Sequence, residues 1–570
     1  MNYKNQTILE QYWDSQKKQL ALFEKHILSG KTPDRNVIEM TKKFQDSEFE
    51  VFCSMLDTQN HLLNLKQNYT FSDAEPYEYE DSLIKKYRVG ITLCSDSREN
   101  GNIIKASSGK VLIIGKKDTY AAAVSKYFTE QNFTAEIITA PLSDEEAERC
   151  ISDDVCGIVI MGQDVSYQDV VSAFVICKRF GQNTAKKFIL FAVFMGGKLG
   201  IENISGNFSA GSFSGMAKTV AQEYQDVIVK LIDFEQNLSA ERFLSLLDDE
   251  LHYRNCETGR YKDSRYCISV VKDSQNIAEN TFQPITPEDV IVVSGGARGV
   301  TASCITELSG HIRCRIVLLG RTSVPEETAE DDEISAISDI NGLKKYFAQK
   351  WKSEGKQFVL RDAEKKAKEI FNIRAVRKTM HDIALNGCEV FYYPCNISDR
   401  ESMKSVMNRI SSQIGKVTGI VHGAGLVLDS KIIKKETSSF ELVFGTKFKG
   451  LCNLMEHSDI SALKFVAVFS SIAGLFGNQG QIDYSSGNSF MDKYIWYLSD
   501  RYPQCRSISF NWNAWDGGMV DSTYSKALKS KGIVLIPVQT GANYFVSEIL
   551  NGSGGRSEMV SLIDKRAIHT

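Results

Sequence analysis

The stretch DVIVVSGGARGVT, Asp289 to Thr301, reads as a run of valine and isoleucine that ends in a glycine-broken turn and opens into a helix. A continuous β-branched run is what a parallel strand buried on both faces requires. Gly295, Gly296 and Gly299 have no side chain to hold a pyrophosphate away from the backbone, and the helix start favours anionic charge. A glycine turn also serves tight strand–helix packing, so its meaning depends on its surroundings. RIVLLGRT, CEVFYYPCNI, GIVHGAG, FVAVFSSIAG and RSISFNWNAW follow it, each a buried strand entering a loop. Residues 286–568 are therefore expected to form an α/β, doubly wound parallel unit that binds a dinucleotide.

The same alternation occurs earlier in the chain. KVLIIGK, AEIITA, GIVIMG, KFILFAVF and IVKLIDF, between Lys110 and Phe234, predict a second Rossmann-like unit over residues 85–272, and the two units read as degenerate copies. The first strand of this unit runs into GKKDTYAA, which lacks the glycine pattern, so it is expected to hold no cofactor. The polar segment Asp273 to Asp289, with two prolines, reads as a linker. In residues 1–72, Ile8, Leu9, Tyr12, Trp13, Leu20, Phe23 and Ile27 recur at helical spacing, which predicts a helical segment whose apolar stripe packs on the rest of the chain or serves dimerisation or docking. The acidic run Glu326 to Glu333 reads as a solvated loop.

Composition excludes several classes of function. A net charge of −4 over 570 residues gives no reason to expect nucleic acid or an anionic membrane as partner. No apolar run approaches a membrane span, and the amino terminus lacks a signal-peptide core. The 13 cysteines are scattered, without CxxC or Cys/His clusters, which points to reduced thiols in a cytoplasm and to no metal site.

The end of the second strand after the glycine turn selects the cofactor. An acid there would bond the ribose 2′-hydroxyl of NAD, whereas arginine accommodates a 2′-phosphate. Gly320 stands at the acidic place, Arg321 follows, and Arg298 adds a second cation, so NADPH is expected. Ser294 and Val300 flank the glycines. Asn396 and Ile397, and Gly423, Ala424 and Gly425, end two further strands at the same sheet edge, where the adenine and the ring system would lie. His422, closing an apolar strand, reads as structural.

FSSIAGLFGNQGQIDYSSGN, Phe469 to Asn488, sets Ser471 and Tyr484 13 residues apart. A tyrosine that gives up a proton near neutrality needs a cation beside it, since its unperturbed pKa is about 10. In the familiar reductase pattern a lysine stands four residues after the tyrosine; here the place is Asn488. Phe440, Val443, Phe444, Phe448, Leu451 and Leu454 make one apolar face of a helix just before the serine strand, and Lys447 lies within it. A buried lysine is tied to a carboxylate or to function, which makes Lys447 the candidate cation.

SGGARGVT, LLGRT, HGAG, the Lys447 helix, FSSIAG, YSSGN and NWNAWDGG together resemble the ketoreductase domains of modular polyketide synthases, a complex branch of the short-chain dehydrogenase/reductase superfamily. They look closest to those of synthases whose acyltransferase is a separate protein. The resemblance covers about residues 85 to 565 and implies a truncated, cofactor-free structural subdomain ahead of the catalytic one, with GMAKTVAQEY as its signature helix. It also implies that lysine and asparagine have exchanged places, so that Lys447, Ser471, Tyr484 and Asn488 form the catalytic set. The implied reaction is NADPH-dependent reduction of a β-ketoacyl thioester carried on the phosphopantetheine of an acyl carrier protein. Asp429, seven residues after His422, matches the aspartate of domains giving a D-configured hydroxyl, and Phe476 stands where the opposite hand has tryptophan. Residues after Met519 fall where the family has a lid. The chain is expected to be a discrete reductase acting in trans or an excised domain, with residues 1–70 free to bind other synthase components or itself. Alternatives are a ketoreductase of a polyunsaturated-fatty-acid-type synthase and a noncatalytic NADPH-binding scaffold.

Overall fold

Each apolar run above becomes a strand, but Thr134–Thr139 and Glu389–Pro394, expected to be buried, lie at the two edges of the sheet and stay partly exposed. The computed structural model describes residues 85–99, 102–104, 109–183, 185–202, 205–272, 284–325, 332–518, 535–551 and 558–561. The expected helical segment 1–72, most of the linker, the greater part of the acidic run and most of the lid lie outside the described residues.

One sheet of fifteen strands runs through the described residues. Its first half comprises β1 (Lys85–Leu93), β2 (Lys110–Gly115), β3 (Thr134–Thr139), β4 (Val155–Gly162), β5 (Phe188–Val193), β6 (Ile228–Phe234), β7 (Glu257–Tyr261) and β8 (Ser264–Lys272). Its second half comprises β9 (Val290–Ser294), β10 (Arg315–Gly320), β11 (Glu389–Pro394), β12 (Val417–His422), β13 (Phe465–Ser471), β14 (Arg506–Trp512) and β15 (Glu558–Ser561). The second half runs β11-β10-β9-β12-β13-β14-β15, all parallel, which is the doubly wound order of a dinucleotide fold with one strand added. The first half runs β3-β2-β4-β5-β6-β7, parallel, then β8 antiparallel. It repeats the second half with the outermost strand missing. β1 pairs antiparallel with β8 on one side (Val89 opposite Val270) and with β15 on the other (Tyr87 opposite Met559), so the two halves share a single sheet. The sequence reading did not foresee that join.

Seven helices matter below: α1 (Thr119–Glu130), α2 (Tyr167–Gly181), α3 (Ser212–Glu223), α4 (Gly299–Ser309), α5 (Leu360–Leu385), α6 (Thr437–Glu456) and α7 (Ile482–Arg501). Helices α2 and α3 of the first half pack on α6 and α7 of the second. Phe174 stacks on Phe440 at 4.3 Å and Tyr167 on Phe444 at 5.3 Å between centroids, while Phe448 stacks on Phe490 at 4.0 Å. Such pairs add directional preference to a large buried area. Helices α3 and α7 approach so closely at Gly215 that a Cβ there would lie 2.2 Å from the Ser485 carbonyl oxygen. Between β10 and β11 an inserted helical pair, Ile340–Ser353 and α5, closes over its own small core of Leu343, Phe347, Ala363 and Ala367. No helix among the described residues is long and apolar enough to cross a membrane.

Candidate active site

The carboxyl ends of β9 and β12 meet where the strand order reverses, the place at which such sheets bind ligands. Gly295 there has φ +71°, and a Cβ on it would lie 2.7 Å from the Ala424 backbone, so the two turns touch main chain to main chain. A Cβ on Gly423 would meet the Thr301 hydroxyl at 2.3 Å, and one on Gly296 would meet Val293. Gly299, at φ +68°, opens α4, and no side chain caps that helix. Its first N–H groups are thus left for a ligand. Ser294 is fully buried and its Oγ sits 2.7 Å from His422 Nδ1, so this side chain faces the histidine. Burial pushes His422 down to about 3, which leaves it neutral.

At the neighbouring strand end a Cβ on Gly320 would lie 2.8 Å from the Tyr392 hydroxyl. Arg321 is exposed beside it. Arg298 bonds Asn372, and its pKa is lowered first by partial desolvation and then by the Arg321 charge, so the two guanidinium groups share one locale. No carboxylate among the described residues pairs with either. Asn396 is exposed with Oδ1 accepting from Ser398 N at 3.3 Å, and the Ile397 carbonyl accepts from Asn453 Nδ2 at 2.8 Å.

From this edge a cleft of about 510 Å³ runs toward the ends of β13 and β14, a size suited to a small organic ligand. Val300 and Gly423 line it on the glycine-turn side, Lys447, Ser471 and Tyr484 on the other, and Asp429 and Phe476 at its outer part. Trp512 and Trp515, from the NWNAW stretch, also line it. Three separate elements therefore deliver the side chains. Ser471 ends β13 and caps the short helix Ile472–Phe476, its Oγ accepting from Ala473 N at 3.2 Å. Tyr484 stands in the first turn of α7, and Lys447 in the middle of α6. Lys447 is 2% exposed, lies 5.0 Å from the Tyr484 ring centroid, and donates to the Phe469 carbonyl at 3.1 Å. Lys449 turns instead onto the Tyr167 ring. Asn488 lies below the tyrosine, its Nδ2 donating to the Tyr484 carbonyl at 2.8 Å, while its buried Oδ1 has no partner among the described residues.

The electrostatics differ from the sequence expectation in one respect. Burial pushes Lys447 down to about 7, with Asp492 opposing the fall. Tyr484 is raised above the usual tyrosine range, because burial outweighs the hydrogen bonding of Asn488 and Ser471 toward its oxygen. Burial therefore dominates the resting tyrosine, even with the Lys447 ammonium group 5.0 Å from its ring centroid.

Two groups of residues beneath the site were not anticipated. Asp492 accepts from Ser509 Oγ at 2.5 Å and from Asn511 Nδ2 at 2.8 Å, and Asn511 also donates to Ser470 Oγ at 3.1 Å, so the floor under Ser471 is a closed polar network. Lys435 forms a fully buried ion pair with Asp483, the residue before the tyrosine, at 2.8 Å, and donates to the Leu428 carbonyl at 2.6 Å. Burial raises Asp483 to about 6, with Lys435 pulling the other way. In sequence Lys435 is one of two adjacent lysines, KK, and nothing marks it as buried.

Residues 290–517 match the family model described as the KR domain. A component of the polyunsaturated fatty acid synthase of Thraustochytrium sp. (strain ATCC 26185 / S-3) is 32% identical over 60% of this chain, and polyketide synthase PksL of Bacillus subtilis (strain 168) is 25% identical over 58%. The aligned regions are 12% and 6% of the lengths of those synthases. An N-terminal ketoreductase from the macrolactin assembly line superposes with a TM-score of 0.63, covering 84% of this chain and 91% of that one at 18% identity, so the fold is shared. Residues 290–517 thus match the KR domain model, and more than half of the chain is similar to segments of a polyunsaturated-fatty-acid synthase and of a polyketide synthase.

Proposed function

We propose that the protein reduces a β-ketoacyl thioester to the β-hydroxyacyl thioester with NADPH, the acyl chain arriving on the phosphopantetheine of an acyl carrier protein. The observation that carries this is the convergence of Lys447, Ser471 and Tyr484 on one cleft that opens at an uncapped helix start beside two arginines. The residues fit the dinucleotide. Gly295, Gly296 and Gly299 with α4 would hold the pyrophosphate, and Arg298 with Arg321, lacking a carboxylate partner among the described residues, would take the 2′-phosphate. Asn396, Ile397 and Gly423 to Gly425 would border the rest of it. Bound there, the dinucleotide would supply hydride.

Ser471 Oγ and the Tyr484 hydroxyl bind the ketone oxygen and orient the carbonyl. As negative charge develops on that oxygen, Tyr484 transfers its proton to it. Lys447, charged at and below about pH 7, stabilises the tyrosinate left behind. Asn488 fixes the start of α7 through the Tyr484 carbonyl and presents its free Oδ1 to a relaying water or to the lysine. Asp429, at the outer part of the cleft, would favour the D-configured product. The first half of the sheet serves as a structural partner without a cofactor site. The 32% identical synthase component favours a second reading, the same reaction within a polyunsaturated-fatty-acid-type synthase, which differs in the carrier that delivers the substrate.

The test is NADPH oxidation with an unbranched β-ketoacyl N-acetylcysteamine thioester and with carrier-linked substrate. The native protein should turn over, and Tyr484→Phe should lose about 10²–10⁴ of the rate, as removal of a general acid does. NADPH binding without turnover of either substrate would overturn this reading in favour of a noncatalytic scaffold.

A further inference from the structure

Glu223 ends α3, in the first half of the sheet, yet its carboxylate is spent on the second. Oε2 accepts the backbone N–H of Ile432 at 2.8 Å, and Oε1 accepts that of Gly480 at 2.7 Å. The two N–H groups belong to different loops. One follows β12 and carries Asp429; the other joins the Ser471 cap to α7 and carries Phe476. Both loops line the cleft. They are also bonded to each other: Ser430 N donates to the Gly480 carbonyl at 2.9 Å, and Gln481 Nε2 to Asp429 Oδ1 at 3.0 Å.

Helix α3 holds the second loop at further points. Gln222 Nε2 donates to the Phe476 carbonyl at 2.9 Å, Gln479 Nε2 to the Gln222 carbonyl at 3.1 Å, and Asn478 N to Thr219 Oγ1 at 3.3 Å. Gly477, at φ +74°, lies so close that a Cβ there would be 2.9 Å from Thr219 N. One carboxylate, with a fixed spacing between its oxygens, thus bridges the two loops beside their direct bonds to each other. Both bonds are charge-assisted and so stronger than neutral ones.

We propose that Glu223 is a positioning residue that decides which face of the substrate ketone is reduced. The inference rests on the β-ketoacyl reductase reading given above. A ketone whose oxygen is held by Ser471 and Tyr484 can turn its other face to hydride only by exchanging its two carbon substituents along the cleft. The loops bearing Asp429 and Phe476 border the space those substituents occupy, and a small change in their separation alters the two poses unequally. Glutamine at 223 would keep the size but could accept only one of the two N–H groups, its amide facing the other donor to donor.

The experiment is chiral analysis of the product from the N-acetylcysteamine thioester, for the native protein, Glu223→Gln and Glu223→Ala, with NADPH affinity measured in parallel. The expected result is an enantiomer ratio at least about tenfold lower in both variants, a raised KM, and NADPH affinity within about twofold of native. An unchanged ratio in variants that still bind NADPH would overturn the proposal. Loss of folding or of NADPH binding in Glu223→Gln would also overturn it, since the residue would then act on stability. An inactive native protein would count against the reductase reading itself, a separate outcome.

Discussion

The two halves of the sheet offer the same strand–turn–helix unit twice, and they end it in opposite ways. After β2, Asp118 caps α1, its Oδ1 accepting from Ala121 N at 2.9 Å, and Lys116 pairs with Asp164 at 3.0 Å across the turn. A Cβ on Gly115 would lie 2.7 Å from the Met161 side chain, so side-chain atoms occupy the ground beside the turn. After β9, Gly295 and Gly299 take positive φ, no side chain caps α4, and two arginines stand nearby. A carboxylate at a helix start occupies the N–H groups and repels a phosphate; an uncapped start does neither. One backbone arrangement therefore makes a capped structural turn or, on the reading proposed above, a dinucleotide site, according to a handful of side chains. Fold and site are separable here.

The most severe way to break the contrast is to give the second turn the chemistry of the first. Arg298→Asp removes the proposed 2′-phosphate ligand and places a carboxylate at the N-cap of α4. Charge-assisted hydrogen bonds are worth about 1.5–3 kcal/mol, so NADPH affinity should fall by about two orders of magnitude. Calorimetric titration with NADPH checks this, and an affinity within threefold of native would refute the assignment of the 2′-phosphate site.

The buried lysines also differ: Lys435 in the second half is paired with a carboxylate, as Lys218 is in the first, and Lys447 is not. Lys218 on α3 is 4% exposed by side chain and paired with Glu257 at 2.7 Å. Lys447 has no carboxylate within ion-pair distance among the described residues; Asp492, His422 and the Tyr484 ring are its titratable and aromatic surroundings. Burial consequently lowers it to about 7. Below that pH it is charged and supports the tyrosinate; above it the charge is lost. The rate of ketone reduction should accordingly fall as pH rises through about 7, by up to about tenfold per unit. A pH–rate profile flat from about pH 6 to about pH 8 would sink the role given to Lys447, and Lys447→Met should remove both the activity and the dependence.

How far the sequence went is best judged on particular residues. Lys447 was legible because it interrupts an apolar stripe on a single helix, a local pattern. The glycine turn was legible for the same reason, as were the buried strands. What escaped depends on residues far apart in the chain. β1 is an ordinary alternating strand, and its pairing with both β8 and β15 is set by tertiary structure. Lys435 meets Asp483 across 48 positions, and Glu223 meets Gly480 across 257. No periodicity within a segment reports such pairs, and the polar residues concerned look like solvated ones until the fold buries them.

The mildest test works on the first half alone. Asp118→Ala would delete the cap of α1 and also the bond from Gln163 Nε2, leaving the N–H of Ala121 without its partner. Loss of an N-cap costs about 0.5–2 kcal/mol, so denaturant unfolding should shift by about that amount. If the first turn is purely structural, NADPH affinity and kcat should stay at native values even as stability falls. A change in NADPH stoichiometry, with a second equivalent bound once the carboxylate is gone, would instead show that Asp118 is what keeps a latent site closed. Either result measures how much of the difference between the halves rests on one side chain. The Met161 contact beside Gly115 argues for the first, because removing a charge does not reopen space that a buried side chain fills.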